Sequence, residues 1–295
     1  MASAPVARAQ VLDLPPRPGD APGGFEIARE IADLHLEARE ERIFAEIARG
    51  NVPGWLRVLC PVTVTGETHG REHQVTFWVT PDYLAVGSDS DFLLVPLSPQ
   101  TAQRVADMVG ASLPTPRMVD AIWSAAAVRL EPAPISPSPE MTTVPVFQEH
   151  NRTVQAQRAL HREPLGALVA GHKKDVVLTA KLPWPSDQVA IYGWHRLNGE
   201  PIQPLYTGHT DRWVDYSHGI RLVLREMVMD GRQHDLVDVL RDDALAPLLS
   251  EGGVIPEPRY GAGVQEPRKG ESHPSPPPLP SLSYGTPAPV THLRK

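Results

Sequence analysis

Residues 171–224 read GHKKDVVLTAKLPWPSDQVAIYGWHRLNGEPIQPLYTGHTDRWVDYSHGIRLVL. Within them, Val176–Thr179, Val189–Tyr192 and Ile220–Leu224 are short apolar segments flanked by glycine, proline or polar residues. Segments of this kind, rich in β-branched residues, are typical of strands separated by turns. Side chains at strand ends are held by the sheet and still reach a cleft, which is the placement a site needs. We therefore expect the chemistry of the chain in this stretch.

Polar side chains able to act as bases, nucleophiles or ligands are concentrated in the same stretch, which holds four of the chain's twelve histidines. The candidate site residues are His172, Lys173, Lys174, His195, His209, Asp215, Tyr216, Ser217, His218 and Arg221. Most of them stand at the ends of the predicted strands. This placement supports an active-site hypothesis and leaves the reaction open.

A serine nucleophile needs a base within hydrogen-bond reach, and Ser217 is the candidate nucleophile. His218 is poorly placed to deprotonate it, because adjacent residues on a strand point to opposite faces. His195, at the end of VAIYGWH, is the preferred general base, and Asp215, which shares a face with Ser217, would orient it. His209 and His218 are expected to complete the catalytic pocket.

Cationic and polar neighbours are candidates for substrate binding. The predicted set is Lys173, Lys174, Arg221, Tyr216 and His172. A lysine ammonium at the start of an apolar strand, such as that of Lys174, would bind a carboxylate or stabilise a developing oxyanion. Arg221 enters an apolar strand and needs an anionic partner, which Asp215 or a bound anion would supply.

A metal site is an alternative to the serine scheme. His195, His209, His218 and Asp215 would offer zinc three or more protein ligands and leave room for a water. Their spacing does not match the HExxH pattern of a helical zinc site. The expectation is therefore no cofactor, with zinc as the alternative.

Composition excludes several classes of protein. The net charge of −7 and the absence of a basic stripe argue against a nucleic-acid partner. The single cysteine, Cys60, rules out an internal disulfide and is expected to be a buried small hydrophobe. Since no apolar run approaches about 18 residues, no transmembrane segment is expected. The N-terminus has no apolar h-region of a signal peptide, and an exported mature form stays open, as does the oligomeric state.

The chain is expected to adopt an α+β fold with a mainly antiparallel sheet and flanking helices. The predicted organisation is a disordered leader (1–23), an N-terminal part of helix, hairpin and helical hairpin (24–130), a proline-rich strap (131–145), a site-bearing part (146–253) and a disordered proline-rich tail (254–295). The leader and tail have too few large apolar residues to offset the entropy of ordering. The sheet is expected to hold the site.

Helix signals are clearest in the first half of the chain. Apolar residues recur at helical spacing over 25–49, which indicates an amphipathic helix, broken once. Ser98-Pro99 and Thr115-Pro116 each offer an N-cap hydroxyl followed by a proline at the first helical position. Asn151 is expected to cap a helix that follows it, with His150 as a second-rank site candidate.

The pattern GHKKDVV, YGWH, GH and VDYSHGIRLV resembles a family of uncharacterised bacterial proteins. The likeness extends over GNVPGWLR, PDYLAVGSDSDF and LPTPRMVD, which together reach most of residues 40–225. It implies one shared architecture and carries no reaction with it.

The segment YSHGIR is similar to the SHGCIR signature of L,D-transpeptidases, which also have an upstream histidine near a glycine, comparable to Gly193-Trp194-His195. The nucleophilic cysteine of that family has no counterpart between Gly219 and Ile220. The resemblance implies a bacterial cell-wall peptide as substrate, with Ser217 or a metal-bound water in place of the thiolate.

These observations favour a hydrolase of amide or ester bonds that acts on bacterial cell-wall peptide or a related polymer. A zinc-dependent hydrolase using the same histidines is one alternative. The other is a non-enzymatic envelope or virion component, in which the histidines and aromatic residues satisfy one another inside a polar core.

Overall fold

The computed structural model describes residues 9–183 and 186–261. Its helices are α1 (Gly24–Ile31), α2 (Leu36–Ala48), α3 (Pro99–Met108), α4 (Pro116–Ala125), α5 (Val144–Arg158) and α6 (Leu236–Arg241). Its strands are β1 (Cys60–Thr68), β2 (Arg71–Val79), β3 (Ala85–Gly87), β4 (Phe92–Leu94), β5 (Ala111–Ser112), β6 (Val128–Arg129), β7 (Val169–Ala170), β8 (Lys174–Val176), β9 (Gln188–His195), β10 (Pro201–Thr210), β11 (His218–Gly219), β12 (Val223–Leu224), β13 (Glu226–Met229) and β14 (Arg232–Asp235). The expected α+β class with mostly antiparallel pairing is confirmed.

The larger sheet joins strands from both halves of the chain. Its order is β14-β13-β2-β12-β5, and β1 pairs with β2 as an antiparallel hairpin from Cys60↔Val79 to Thr68↔Arg71. The predicted hairpin is therefore present. Because β12, β13 and β14 follow residue 222 and pair directly or indirectly with β2, the N-terminal and site-bearing parts are built around one shared sheet.

The second sheet carries most of the candidate residues and has the order β10-β9-β8-β11. The two neighbours of β8 differ in direction, since β8 and β9 are antiparallel whereas β8 and β11 are parallel. Lys174 is paired with Gly193 on one side and with His218 on the other. This register brings the GHKKD, YGWH and YSHG segments side by side.

The helix boundaries follow the sequence signals closely. The helical stretch over 25–49 is broken once, between α1 and α2. The Ser98 hydroxyl accepts a hydrogen bond from the Thr101 N–H, and the Thr115 hydroxyl accepts one from the Met118 N–H, so both predicted N-caps are confirmed. The short strand β5 lies in the connection between α3 and α4.

Two local predictions are wrong. Asn151 does not cap a helix but lies in the middle of α5, where its amide accepts from the Leu94 N–H (3.1 Å) and donates to the Phe92 carbonyl (3.0 Å). A 3-10 turn at Pro139–Thr142 and the start of α5 replace the extended backbone expected at the end of the strap. Proline caused the second error, because it is also favoured in the first turn of a helix.

Both predicted terminal segments extend beyond the described residues, which exclude 1–8 and 262–295. From residue 9 onward the chain lies against the body, where Val11 forms a bridge with Val58 and Leu12 is buried. At the other end, Tyr260 is buried and its hydroxyl donates to the Val177 carbonyl at 2.8 Å. No helix in these described ranges combines the length and apolarity needed to cross a bilayer.

A buried carboxylate ties α2 to the start of α3. Glu40 accepts hydrogen bonds from the Ser98 N–H (2.5 Å), the Ser98 hydroxyl (2.6 Å) and the Thr101 hydroxyl (2.5 Å). Burial raises the pKa of Glu40, although these hydrogen bonds act against the shift.

Replacing Ser98 with alanine removes both the helix cap and one donor to Glu40, so we expect the free energy of unfolding to fall by about 2 kcal/mol. Urea denaturation monitored by circular dichroism would measure the change. The exposed Ser124, whose hydroxyl donates to a carbonyl in its own helix, provides the control, and Ser124→Ala should change stability by less than about 0.5 kcal/mol. Equal effects for the two variants would contradict the role given to Ser98.

Candidate functional site

Asp215 is the most completely bonded polar side chain in the second sheet's neighbourhood. Its Oδ1 accepts from the Ser217 N–H (2.8 Å) and from the Ser217 hydroxyl, and its Oδ2 accepts from the Trp213 indole N–H (3.1 Å). Burial alone would raise the pKa of Asp215, but the Lys174 charge, the neighbouring His218 and the Ser217 hydrogen bonds hold it well below its usual range. Asp215 is therefore a fixed, ionised carboxylate at neutral pH.

Two lysines lie beside this carboxylate on β8 and the residue before it. The Lys173 ammonium donates to the Tyr216 carbonyl at 2.6 Å, and burial lowers the pKa of Lys173 to about 7. The Lys174 ammonium lies 5.2 Å from the centre of the Trp194 ring, a cation–π distance, and the residue is 7% exposed. Lys174 thus places a cation against the Trp194 ring, and its charge acts on Asp215.

Two histidines complete the group. His218 has its Nε2 3.8 Å from the Asp215 Oδ2, and burial lowers the pKa of His218 to about 4. His209, on β10, stacks on Trp213 with 5.2 Å between ring centres. Burial also lowers the pKa of His209, with the Lys174 charge acting in the same direction. Both imidazoles are therefore neutral at pH 7.

We call Lys174, His209, Trp213, Asp215 and His218 the Asp215 cluster. It combines an ionised carboxylate, an ammonium and two neutral imidazoles within range of one another's charges. His209 and Trp213 are partly exposed, whereas the other three members are buried. The cluster therefore contains a partly exposed base, His209, and a buried cation, Lys174.

His195 belongs to a different polar group. Its Nε2 lies 2.9 Å from the Asp120 Oδ1, which also accepts from the Tyr192 hydroxyl at 2.8 Å. Trp123 stacks on the other side of the imidazole, 5.8 Å between ring centres. The carboxylate that orients His195 is therefore Asp120 on α4. The sequence had suggested Asp215 for this role.

Ser217 and His195 each have their own carboxylate partner. The Ser217 hydroxyl donates to Asp215, and the residue is fully buried. The strand β8 lies between β9, which carries His195, and β11, which follows Ser217. Strands two positions apart are separated by roughly 10 Å, and the Ser217 hydroxyl and the His195 Nε2 are bonded to two different carboxylates. The serine–histidine pairing expected from the sequence is not assembled here.

Three of the predicted substrate-binding residues are engaged in the protein's own interior. Arg221 is fully buried and donates to the carbonyls of Thr80 and Val169, both at 2.8 Å, with its guanidinium 4.3 Å from the Tyr83 ring centre. Its partners are therefore carbonyls and an aromatic ring, and Asp215 is not among its hydrogen-bond acceptors.

His172 and Tyr216 have interior partners as well. The His172 Nε2 lies 3.0 Å from the Asp82 Oδ1, and the Tyr216 hydroxyl accepts from the Ile135 N–H at 2.7 Å. Among the predicted substrate-binding residues, Lys174 is thus the one whose charge acts on the partly exposed His209.

The ligands proposed for zinc divide between the two polar groups. His195 pairs with Asp120, whereas His209, His218 and Asp215 belong to the Asp215 cluster. Within residues 9–183 and 186–261, no three or more histidine, cysteine, aspartate or glutamate side chains are arranged to hold a metal ion.

Two functional features had little sequence signal. Asp120 lies in LPTPRMVD, where nothing in the local pattern distinguishes it from a solvated helix residue. Trp213 could be identified as an aromatic in the right stretch, but its indole N–H bond to Asp215 depends on the turn geometry after β10. Both depend on tertiary contacts.

A surface pocket of about 520 Å³ lies elsewhere on the molecule, lined by Pro16, Arg17, Val52, Gly54, Arg57, Ser88, Asp89 and Ser90. None of these residues belongs to the Asp215 cluster. The arginines there already donate to backbone carbonyls, so the pocket offers few free charged groups.

No protein-family model, no curated protein and no solved structure matches this chain. The contacts of the two polar groups are therefore the basis for a functional proposal.

Proposed function

We propose that the protein is a hydrolase of amide or ester bonds and that the Asp215 cluster is its active site. The observation that carries this proposal is the meeting of Lys174, Asp215 and the partly exposed His209 at one place. Buried charges contribute little to stability compared with apolar residues of the same size. Ionisable groups with shifted pKa values cluster at functional sites, and three members of this cluster have them.

In the proposed reaction, water is the nucleophile. Neutral His209 accepts a proton from water as the water oxygen attacks the carbonyl carbon. The electron pair of the carbonyl bond moves to oxygen, and the Lys174 ammonium stabilises the resulting oxyanion. When the tetrahedral intermediate collapses, the carbon–nitrogen or carbon–oxygen bond breaks and His209 returns its proton to the leaving group.

Ser217 and Asp215 act in this scheme as positioning residues. The Ser217 N–H and hydroxyl both hold the Asp215 carboxylate, which in turn lies next to the Lys174 ammonium and the neutral His218 imidazole. A serine hydroxyl already committed to a carboxylate and fully buried is better suited to hold that carboxylate than to attack a substrate. This assigns Ser217 the role of positioning residue.

The proposed substrate is bacterial cell-wall peptide. Its support is the similarity of YSHGIR to the L,D-transpeptidase signature, together with the aromatic rim that Trp213 and Tyr206 provide around His209. Ile220 follows Gly219 directly and is fully buried, so no thiolate is available at the position of that family's cysteine. Water-based hydrolysis is the chemistry consistent with this difference.

A non-enzymatic envelope or virion component is the second candidate. The observation that favours it is burial: Ser217 and His218 are fully buried, and the described pocket lies away from both. In that case the cluster would specify the packing of the core, as buried polar groups do in some proteins.

Replacing His209 with glutamine separates the two candidates. We expect kcat/KM to fall by about 100-fold, because the general base is lost. In the wild type, kcat/KM should be constant at neutral pH and fall as the pH drops through the pKa of His209, which lies below 6.5. Steady-state hydrolysis of nitrophenyl esters, anilides and cell-wall peptide fragments from pH 4.5 to 8 would test both expectations.

The matched control is His161→Gln, which changes an exposed histidine outside the cluster and should leave the pH profile unchanged. If His209→Gln folds normally and retains full activity, His209 is not the base. If the wild type hydrolyses none of these substrates, the non-enzymatic candidate is favoured.

A further inference from the structure

The surface pocket of about 520 Å³ joins two sequence motifs that the proposed function does not use. Its lining residues come from GNVPGWLR (50–57), from PDYLAVGSDSDF (81–92) and from the segment before α1, which supplies Pro16 and Arg17. Small-molecule sites occupy roughly 300–1,000 Å³, so the pocket has the size of a ligand site.

Two arginines of the lining are held in place by neutral oxygens. Arg17 donates from its Nε and Nη2, and Arg57 donates from its Nη1 and Nη2. The acceptors are the Asn51 side-chain oxygen and the carbonyls of Leu14, Ala21, Pro22, Gly50 and Gly87. These bonds orient both guanidinium groups, and none of the acceptors carries a charge.

One nitrogen of each guanidinium stays outside these bonds. The Nη1 of Arg17 and the Nε of Arg57 have no hydrogen-bond partner among the described residues, and neither nitrogen is fully buried. Both N–H groups are therefore open to solvent. Arginine cannot be deprotonated in a protein, so each of these donors carries a positive charge.

Asp89 supplies the opposite charge at the same pocket. Its Oδ1 accepts from the Gly54 N–H at 2.5 Å, which fixes the carboxylate at the start of the 3-10 turn Gly54–Arg57. Burial lowers the pKa of Arg57, and the Asp89 charge opposes this shift. The Oδ2 of Asp89 has no hydrogen-bond partner in the described ranges, and the residue is exposed. The few free groups of the pocket are therefore two cationic donors and one anionic oxygen.

This combination selects a ligand that carries both signs of charge. Two guanidinium N–H groups match the two oxygens of a carboxylate, and a carboxylate oxygen matches an ammonium. Arg57 follows Gly54, the residue bonded to Asp89, by one 3-10 turn of roughly 6 Å. Both signs are thus close enough for the head group of one α-amino acid, whereas a dianion such as phosphate would face the like charge of Asp89. Pro16 and Val52 line the pocket with apolar groups.

We infer that this pocket is a binding site for a free α-amino acid with an apolar side chain. The carboxylate of the amino acid accepts from Arg17 and Arg57, and its ammonium donates to Asp89. The side chain packs on Pro16 and Val52. The site is separate from the Asp215 cluster and does not rest on the proposed hydrolysis.

Isothermal titration calorimetry of the full chain with leucine tests the site, and saturable binding is expected. N-acetylleucine lacks the ammonium and leucinamide lacks the carboxylate, so each should bind at least about 10-fold more weakly than leucine. Glycine, which has no side chain to pack, should also bind more weakly.

Asp89→Asn keeps an acceptor for the Gly54 N–H and removes the charge that holds the ammonium. Its affinity for leucine should fall at least about 10-fold, to a value close to its affinity for N-acetylleucine. Asp33→Asn, at an exposed aspartate outside the pocket lining, is the matched control and should bind leucine as the wild type does.

Absence of saturable leucine binding by correctly folded wild type would overturn the amino-acid site. Equal affinity of the wild type for leucine, N-acetylleucine and leucinamide would overturn it as well, and this comparison decides the matter if Asp89→Asn does not fold. Unchanged leucine affinity in a folded Asp89→Asn protein would also contradict it. None of these results depends on whether the chain hydrolyses a substrate.

Discussion

Lys174→Met is expected to lower kcat/KM for amide or ester hydrolysis by about 10² to 10³-fold, the effect of removing one donor to a developing oxyanion. The charge of the ammonium acts on both the buried carboxylate Asp215 and the partly exposed His209. Methionine retains most of the aliphatic stem that packs on Trp194 and removes the charge. Steady-state kinetics on the ester and peptide substrates would measure the loss.

The stability of the variant has to be measured with its activity. Asp215 keeps its hydrogen bonds from Ser217 and Trp213 when Lys174 is replaced, so we expect the variant to fold and to lose less than about 3 kcal/mol. Lys181→Met is the control for the loss of a lysine charge. A folded Lys174→Met protein with wild-type kcat/KM would show that the ammonium has a structural role only.

Acid is expected to destabilise the protein, because two buried histidines stay neutral in the folded chain. Burial lowers the pKa of His150 to about 2 and that of His218 to about 4, against an ordinary value of 6.5. Below pH 6.5 the unfolded chain binds a proton at each position and the folded chain does not. Stability is therefore complete above pH 6.5 and falls by about 1.4 kcal/mol per histidine per pH unit below it.

Two other buried groups modify this loss. Burial raises the pKa of Asp175 to about 6, so the folded chain binds that proton first and gains about 1 kcal/mol between pH 7.5 and pH 5. Lys173, with a pKa lowered to about 7, adds a loss of about 1 kcal/mol over the same range. With about 2 kcal/mol lost at each histidine, the net decrease is about 4 kcal/mol.

Urea unfolding at pH 7.5 and pH 5 would measure the net decrease, and His150→Phe isolates one part of it. The variant keeps a planar ring against Trp194 and Tyr216 and cannot titrate. Its decrease between the two pH values should be smaller than that of the wild type by about 2 kcal/mol. His161→Gln, at an exposed histidine, should behave as the wild type does. Equal decreases in wild type and His150→Phe would contradict the buried neutral state of His150.

Local signals predicted the fold well where they depend on the chain's own neighbours. The hydroxyls of Ser98 and Thr115 cap their helices because each is followed by proline at a position where the missing N–H is harmless. The β1–β2 hairpin follows from two segments rich in β-branched residues that flank a turn. The turn residues His69 and Gly70 both adopt positive φ. Asn151 was misassigned as a helix cap. Its side chain, located inside α5, instead bonds to the backbone of strand β4.

The candidate site depends on strand order, which the sequence does not reveal. Asp215, His209, His218 and Lys174 all lie near the ends of short strands in the same stretch, and this shared position is what the sequence could indicate. The pairing of His195 could not be predicted, since its partner Asp120 comes from a helix about 75 residues away. Insertion of β8 between β9 and β11 separates His195 from Ser217, and only tertiary structure shows that order.

The central claim is that the Asp215 cluster catalyses hydrolysis by water, and isotope incorporation tests it most directly. Wild-type protein and Lys174→Met would be incubated with bacterial cell-wall peptide in H₂¹⁸O, and the products analysed by mass spectrometry. We predict cleavage products from the wild type with one ¹⁸O in each new carboxyl group, and little or no such product from the variant. Absence of cleavage by correctly folded wild-type protein, or equal cleavage by both proteins, would contradict it.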